Sequence, residues 1–440
     1  MKIFLALYLF LYINPVLHAQ EQVVFKTSKK KVYLPFKLVN NLIIVPIKVN
    51  GTELHFLLDS GIEETILFSL DEKKELPLYN VEKIALKGLG ANEAIEGLKS
   101  YKNTLSIKNL DFLNQEIVVV LNQDLNFSTV LGTEVNGIIG YHFFNQNIVE
   151  IDYVNRNVIV YNPEKYNEYK GTSKFEVFNF TLENAKPYLE LEVELNTNTF
   201  TSKCLIDTGN SDGLWLFESK SNQIVVPAKN FDDYLGRGFS GEIFGKKAKV
   251  ETLTLGEFNF KGVISAFPDS ISLSNVQMVE NRTGSIGGEL LRRFRVIFDY
   301  RKNIMYLKKN RYFKDKFMYN TSGITVHHVG LQWYKEEIRM DGLVINQDVN
   351  TYQNNTTELK YNFKLIPVYE ILNIRKNSPA EKSGLLSGDK LIAVNGTLIY
   401  KMSLDKINRL FKQEGDHEVV ILVSRNEKEI VFRFKITDLL

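Results

Sequence analysis

The sequence predicts an all-β chain of two pseudo-twofold related lobes followed by a small α+β domain. Three observations carry this reading. Two apolar runs, His55-Phe56-Leu57-Leu58 and Lys203-Cys204-Leu205-Ile206, each end in Asp-(Ser/Thr)-Gly, at Asp59-Ser60-Gly61 and Asp207-Thr208-Gly209. Each run sits in a longer recurring block: Asp59 to Gly140 spans 81 residues, and Asp207 to Gly288 spans 81 again. Equal spacing of the same landmarks marks two copies of one unit. Beyond Lys308-Lys309-Asn310 the pattern changes to Gly-Asp and Asn-Gly turns around one stretch of helical spacing.

Composition agrees. A chain of 440 residues exceeds one ordinary domain. Aromatics reach 12%, with 29 Phe and 21 Tyr, and this bias favours strands. The formal net charge of +2 lacks the basic excess that nucleic-acid binding needs, so no nucleic acid is expected as a partner. At the N-terminus, Met1-Lys2 precedes an apolar run from Ile3 to Ile13, broken by Asn14-Pro15 and followed by Leu17-His18-Ala19. Residues 1–19 read as a signal peptide cleaved after Ala19, implying export to the periplasm or beyond and no membrane span after cleavage. Cys204 is the single cysteine, so no intramolecular disulfide forms, and its apolar neighbours predict a buried core residue.

Along the chain, Leu42–Val49 and the strictly alternating Tyr188–Leu195 read as strands, each turning into its Asp-bearing strand as a hairpin. Downstream, Asn136-Gly137-Ile138-Ile139-Gly140 is followed by strands at Ile148–Tyr153 and Val158–Tyr161. Gly284-Ser285-Ile286-Gly287-Gly288 is followed by strands at Val296–Tyr300 and Ile304–Leu307. This gives a first lobe over 20–165 and a second over 166–312. Gly88-Leu89-Gly90-Ala91-Asn92 and the stretch from Gly236 to Gly241 are matching Gly-rich turns and candidate flaps over a cleft.

A pseudo-twofold axis through matching strand ends would bring Asp59 and Asp207 together. Two carboxyls about 3 Å apart cannot both ionise easily, so the pair holds one proton over a wide pH range. One member can then take a proton from a trapped water while the other polarises a carbonyl. Gly61 and Gly209 permit close backbone approach, and their amides can donate to the adjacent carboxylates.

These residues resemble the aspartic protease family of bacteria, bilobal like pepsins with lobes as short as a retropepsin subunit. The pattern is Leu57-Leu58-Asp59-Ser60-Gly61 with Ile138-Ile139-Gly140, then Leu205-Ile206-Asp207-Thr208-Gly209 with Ile286-Gly287-Gly288. The match covers roughly residues 25 to 310. There are two departures. Ile62-Glu63-Glu64 stands where the family has small or hydroxyl residues, and Gly287 stands where it has an apolar one. The resemblance implies an endopeptidase that hydrolyses peptide bonds with water activated between Asp59 and Asp207. It also implies that Ser60 and Thr208 bond across the lobe interface. The six His are scattered and no tight His or Cys ligand spacing occurs, so no metal and no organic cofactor are expected.

The C-terminal third reads as a capped short helix at Ser378-Pro379, stopped by Gly384, then a strand between Gly388-Asp389 and Asn395-Gly396. A helix with apolar positions 404, 407, 410 and 411 and a final hairpin follow. This series closely resembles a bacterial-type PDZ domain over 313–440, with a long polar insertion around 327–362. The resemblance implies binding of peptide termini by strand addition, with Gly323, Ile324 and Thr325 in the carboxylate loop and Leu404 and Ile407 on the groove helix.

Two other readings differ in class. One is a catalytically silent exported peptide-binding scaffold that keeps the protease fold. The other is a serine hydrolase, because Gly209-Asn210-Ser211-Asp212-Gly213 fits Gly-x-Ser-x-Gly. The latter requires a helix after Ser211, whereas Leu214-Trp215-Leu216-Phe217 reads as a strand.

Overall fold

The computed structural model describes residues 22–70, 74–86, 95–121, 126–166, 174–219, 221–238, 241–273, 278–340, 358–413, 415–436 and 438–440. The expected signal segment, the Gly88–Asn92 turn, Phe239-Ser240 and the polar Asn354–Thr357 lie outside the described residues.

Alternating apolar residues between Gly and Asn turns fold into two sheets with one strand order. In the first, Leu110–Val120, Ile66–Leu67, Gly137–Ile139, Thr52–Leu58, Leu42–Val49, Ile95–Ile107 and Glu82–Leu86 are successive neighbours. The second repeats this as Phe258–Pro268, Leu214–Leu216, Arg282–Ile286, Asn198–Ile206, Lys186–Leu195, Gly241–Leu255 and Asn230–Gly238. Strand alternation sends Phe56, Leu58 and Ile139 of one sheet, and Cys204, Ile206 and Ile286 of the other, into one continuous core. Cys204 is fully buried there, and burial pushes its thiol up to about 12, so it stays unreactive.

A third sheet joins the two copies. Its order is Glu176–Asn179, Ile304–Lys309, Phe294–Asp299, Ile148–Asp152, Asn157–Tyr161 and Lys31–Pro35. The order is palindromic, because equivalent strands of the two copies occupy mirrored places. The central antiparallel pair runs from Ile148 opposite Asp299 to Asp152 opposite Arg295, with Glu150 opposite Ile297 at its midpoint. A local twofold axis therefore passes through that pair. The buried Glu150 carboxylate is held by Arg295 and by the Tyr161 hydroxyl at 2.6 Å.

The C-terminal sheet runs Ile324–Met340, Glu358–Ile374, Lys390–Val394, His417–Arg425 and Lys428–Ile436. Ser378 caps the helix Pro379–Lys382 by accepting from the Glu381 amide at 3.1 Å, and Ser403 caps Leu404–Leu410. Residues 341–357 lie outside the described residues, and the described parts of the polar stretch around 327–362 belong to the long first two strands. Their register places Leu331 opposite Pro367, Trp333 opposite Leu365 and Lys335 opposite Phe363.

This sheet is fastened to the second lobe by a buried ion chain. Arg375 donates to the carbonyls of Asn320 and Thr321, packs on the Phe231 ring and lies 3.6 Å from Asp233. Lys247 lies 3.7 Å from Asp233 and 3.2 Å from Asp212. Burial raises the Asp233 pKa, and Lys247 and Arg375 oppose that rise. Arg375→Met removes one of these cations and is expected to cost about 3 kcal/mol in urea unfolding. Asp233→Asn in the same chain should recover part of that loss, because the stranded carboxylate is gone; no recovery would assign the cost to Arg375 packing alone.

Candidate active site

The strand Thr52–Leu58 ends at Asp59 and the strand Asn198–Ile206 ends at Asp207. Each is flanked by a parallel strand of its own lobe, Gly137–Ile139 and Arg282–Ile286. The Asp59 amide donates to the Ile139 carbonyl at 3.0 Å, and the Asp207 amide donates to the Ile286 carbonyl at 2.9 Å. Those two bonds fix where each chain leaves its sheet.

The turns that follow interlock. The Ser60 amide donates to Thr208 Oγ1 at 2.9 Å, and Thr208 Oγ1 donates to the Leu58 carbonyl at 2.8 Å. Reciprocally, the Thr208 amide donates to Ser60 Oγ at 3.0 Å, and Ser60 Oγ donates to the Ile206 carbonyl at 2.7 Å. Both side chains are fully buried, so these bonds are shielded from competing water. Gly61 donates to Asp59 Oδ1 at 2.7 Å and Gly209 to Asp207 Oδ1 at 3.0 Å. A Cβ on Gly209 would lie 2.2 Å from Asp59 Oδ2, so only glycine fits between the two turns.

Asp59 and Asp207 hydrogen-bond each other across the axis. Burial pushes the Asp59 carboxyl up, the Asp207 charge pushes it further, and together they bring it to about 8 despite the Gly61 amide. Burial raises Asp207 as well, opposed chiefly by Arg282. The arrangement keeps one proton on the pair across the neutral range, and the titration belongs to the pair. Such a pair can deprotonate a water and protonate a carbonyl oxygen at once.

The registers correct the sequence alignment of the distal motif. Ile139 pairs with Leu58 and Ile286 pairs with Ile206, so Ile286-Gly287 is the counterpart of Ile139-Gly140. Gly140 and Gly287 also both precede the first residue of a short helix. The second interval is therefore 80 residues, against 81 in the first, and Gly287 replaces no apolar residue. The adjacent Gly287-Gly288 pair made the landmark ambiguous by one position.

The expected groove residues of the C-terminal domain are placed otherwise than on an open surface. Ile324, Leu404 and Ile407 are buried in that domain's core. The Gly323 and Ile324 amides donate to the Asn320 and Ser322 side chains, and Thr325 is half-buried. The strand Ile324–Met340 is the edge of its sheet, and the first-lobe helix Phe127–Leu131 packs against it. Ser211 precedes a strand, Leu214–Leu216, and lacks the strand-turn-helix that a nucleophilic serine needs.

Three residues near the carboxylates carried no motif. Lys186 and Arg282 both pull charge onto Asp207. Tyr300 is buried beside Asp59, and its phenol is raised well above its usual value by burial and by that charge. Aligning the two copies strand by strand exposes the first two, because Lys186 stands where the other copy has Leu42 and Arg282 where it has the neutral Asn136.

Residues 45–143 match the family model described as aspartyl protease, and residues 370–425 match the PDZ domain model. The chain thus contains an aspartyl protease domain and a C-terminal PDZ domain. The first match includes Asp59 and ends before Asp207. The crystal structure of aspartic proteinase from Irpex lacteus is 12% identical, with 65% of this chain and 99% of that chain covered and a TM-score of 0.39. No curated protein matches.

The raised carboxyls give a stability prediction. A carboxyl whose folded pKa lies above its unfolded value favours the folded state only while it is protonated in both. Stability is lost as pH rises from about 4 towards the folded value. Asp59→Asn is therefore expected to raise the melting temperature by about 4 °C or more at pH 7.5 and by little at pH 3.5. An equal shift at both pH values would remove titration as the cause. Thr208→Val breaks both bonds of its hydroxyl and should lower stability by about 2 kcal/mol in denaturant unfolding.

Proposed function

We propose that the chain is an exported aspartic endopeptidase whose reacting water is held between Asp59 and Asp207. The observation that carries the reading is the crossed bonding of Ser60 and Thr208, which sets the two carboxyls in hydrogen-bond contact. In this mechanism the ionised member takes a proton from the water, and the protonated member gives its proton to the scissile carbonyl oxygen. The water oxygen adds to the carbonyl carbon, a tetrahedral diol forms and no covalent enzyme intermediate is needed. The diol then collapses: its C–N bond breaks, the amine leaves with a proton delivered from the pair, and the pair regains its single shared proton.

The PDZ domain, in this reading, holds polypeptide substrates or partner termini near the cleft by strand addition at the exposed Leu331–Trp333 part of the Ile324–Met340 edge, away from the buried Ile324 end. The apolar run from Ile3 to Ile13 supports export to the periplasm or the medium. Sequencing of the exported protein is expected to begin at Gln20.

A peptide-library digest across pH 3 to 8.5 tests the activity. Wild type should cleave, and Asp59→Asn and Asp207→Asn should each lose about 10²–10⁴-fold. Unchanged cleavage by Asp207→Asn would sink the proposal and favour the silent scaffold. Activity should persist to neutrality and fall as pH rises through about 8, where the pair gives up its shared proton. It should also fall at the acid end, where both carboxyls become protonated. Arg282→Gln removes a cation that opposes protonation of Asp207, so the acid limb should move to higher pH.

A further inference from the structure

Strand alternation places Leu57 on the face that carries Asp59 and Leu205 on the face that carries Asp207. The registers allow the two faces to be compared position by position. Ile44 lies opposite Leu57 and Tyr188 opposite Leu205, so Ile44 corresponds to Tyr188 and Leu42 to Lys186. Ile138 corresponds to Ser285, because each lies beside that leucine and opposite Ile66 or Trp215. A bulge shifts the second copy's register by one residue before Cys204, so Arg282, which pairs with Lys203, takes the place of Asn136, which bonds His55. In the first lobe Leu42, Ile44, Val135 and Ile138 form one buried apolar cluster with Leu57 and Ile66. In the second lobe Lys186 takes the place of Leu42 and Ser285 that of Ile138, and Arg282 lies beside them on the same face.

Packing does not account for the exchange. Apolar side chains fill this face in the first copy, and half-buried cations there cost desolvation unless an anion meets them. Among the described residues neither Lys186 nor Arg282 has an ion-pair partner. Glu183, across the hairpin from Lys186, is bound by Lys203 at 2.7 Å. The Arg282 guanidinium is oriented by its own strand: Nη2 donates to Ser285 Oγ at 2.7 Å and Nε to the Gly284 carbonyl at 3.2 Å. Its plane lies 5.2 Å from the Phe217 ring centroid, and Nη1 has no partner among the described residues. The hairpin register, extended past the Tyr188–Leu205 pair, puts Lys186 opposite Asp207, and Arg282 bonds Ser285 beside Leu205 on the face that carries Asp207. Sharing one proton, the pair of aspartates offers a single negative charge to two positive ones. One positive charge is left for a ligand. On the first-lobe turn Glu63 and Glu64 are exposed and repel an anion from that side.

We propose that Lys186 and Arg282 form a carboxylate-binding wall that selects an acidic side chain in the substrate peptide, on the second-lobe side of the scissile bond. The assignment of a scissile bond rests on the endopeptidase reading, whereas the binding preference does not. The test uses the full chain and a set of short peptides in which Glu, Gln or Lys is scanned through each position in turn. The first readout is fluorescence anisotropy with the Asp59→Asn protein. At one position the Glu peptide should bind about tenfold tighter than its Gln counterpart, and the Lys peptide weaker still. Lys186→Gln with Arg282→Gln should erase the difference, and Arg282→Lys, which keeps the charge, should retain most of it. Equal binding of Glu, Gln and Lys peptides at every position by a protein with wild-type circular dichroism overturns the proposal. So does a preference that survives the double substitution. The second readout is wild-type cleavage of the same peptides. Cleavage with no preference for Glu overturns the wall and leaves the endopeptidase standing. An acidic binding preference without cleavage supports the wall and overturns the endopeptidase.

Discussion

Two carboxyl groups stay in contact inside a protein only when rigid structure outweighs their repulsion and dehydration. Here that structure is the crossed set of bonds between Ser60 and Thr208. Each hydroxyl donates to a carbonyl of the opposite lobe and accepts from the other turn's amide. Every polar atom of the crossing is used, and none faces water. The rest of the architecture serves this crossing. The parallel strands beside Asp59 and Asp207 fix the two exits, and the six-stranded sheet centred on Glu150 and Ile297 fixes the axis between them. Glycine at positions 61 and 209 follows from the same demand, because any side chain there would enter the space of the opposite carboxylate.

The strict equivalence ends at the axis. The two copies share strand order and exit geometry but differ in the chemistry of the carboxylate-bearing face. The first keeps an apolar cluster, extended by Leu131 and partly buried Phe127 from the helix Phe127–Leu131. The second places Lys186, Arg282 and Ser285 on its counterpart face. A dimer of identical subunits cannot make this distinction, since any substitution would appear on both sides. Joining the copies in one chain lets the two walls of the cleft diverge while Ser60 and Thr208 preserve the centre.

The parts of this organisation written in local pattern were legible in the sequence. The Asp-bearing strands, the cap at Ser378 and the burial of Cys204 follow from alternation, capping chemistry and apolar context. Ser60 and Thr208 were legible through a family resemblance, not through spacing, because nothing local tells a hydroxyl which distant carbonyl it will meet. The one-residue error at Gly287 arose where two glycines offer equivalent landmarks and only strand register separates them. In the described parts of the stretch around 327–362 the chain continues two strands, and the pairing of Trp333 with Leu365 is a long-range fact that polar composition does not reveal. Lys186 and Arg282 were invisible for the opposite reason: each is unremarkable alone, and their meaning comes from the uncharged Leu42 and Asn136 at equivalent places in the other copy.

The C-terminal domain is held against both lobes, and this constrains how it could serve the cleft. Towards the second lobe, Arg375, Asp233, Lys247 and Asp212 form a chain of charges that ends five residues after Asp207. Towards the first lobe, Gly132 approaches so closely that a Cβ there would lie 2.7 Å from Leu404 Cβ, and Asn408 bonds Asn40 at 3.4 Å. A domain tethered on one side only could swing and deliver a peptide over a range of distances. Fastened on two sides, it presents its edge strand at a fixed position relative to the carboxylate pair. Its contribution is then geometric: a polypeptide bound at that edge reaches the cleft only if the connecting segment spans one set distance. In the proposed endopeptidase reading, substrate length between the bound and reacting segments would thereby be selected independently of the charge preference proposed for Lys186 and Arg282.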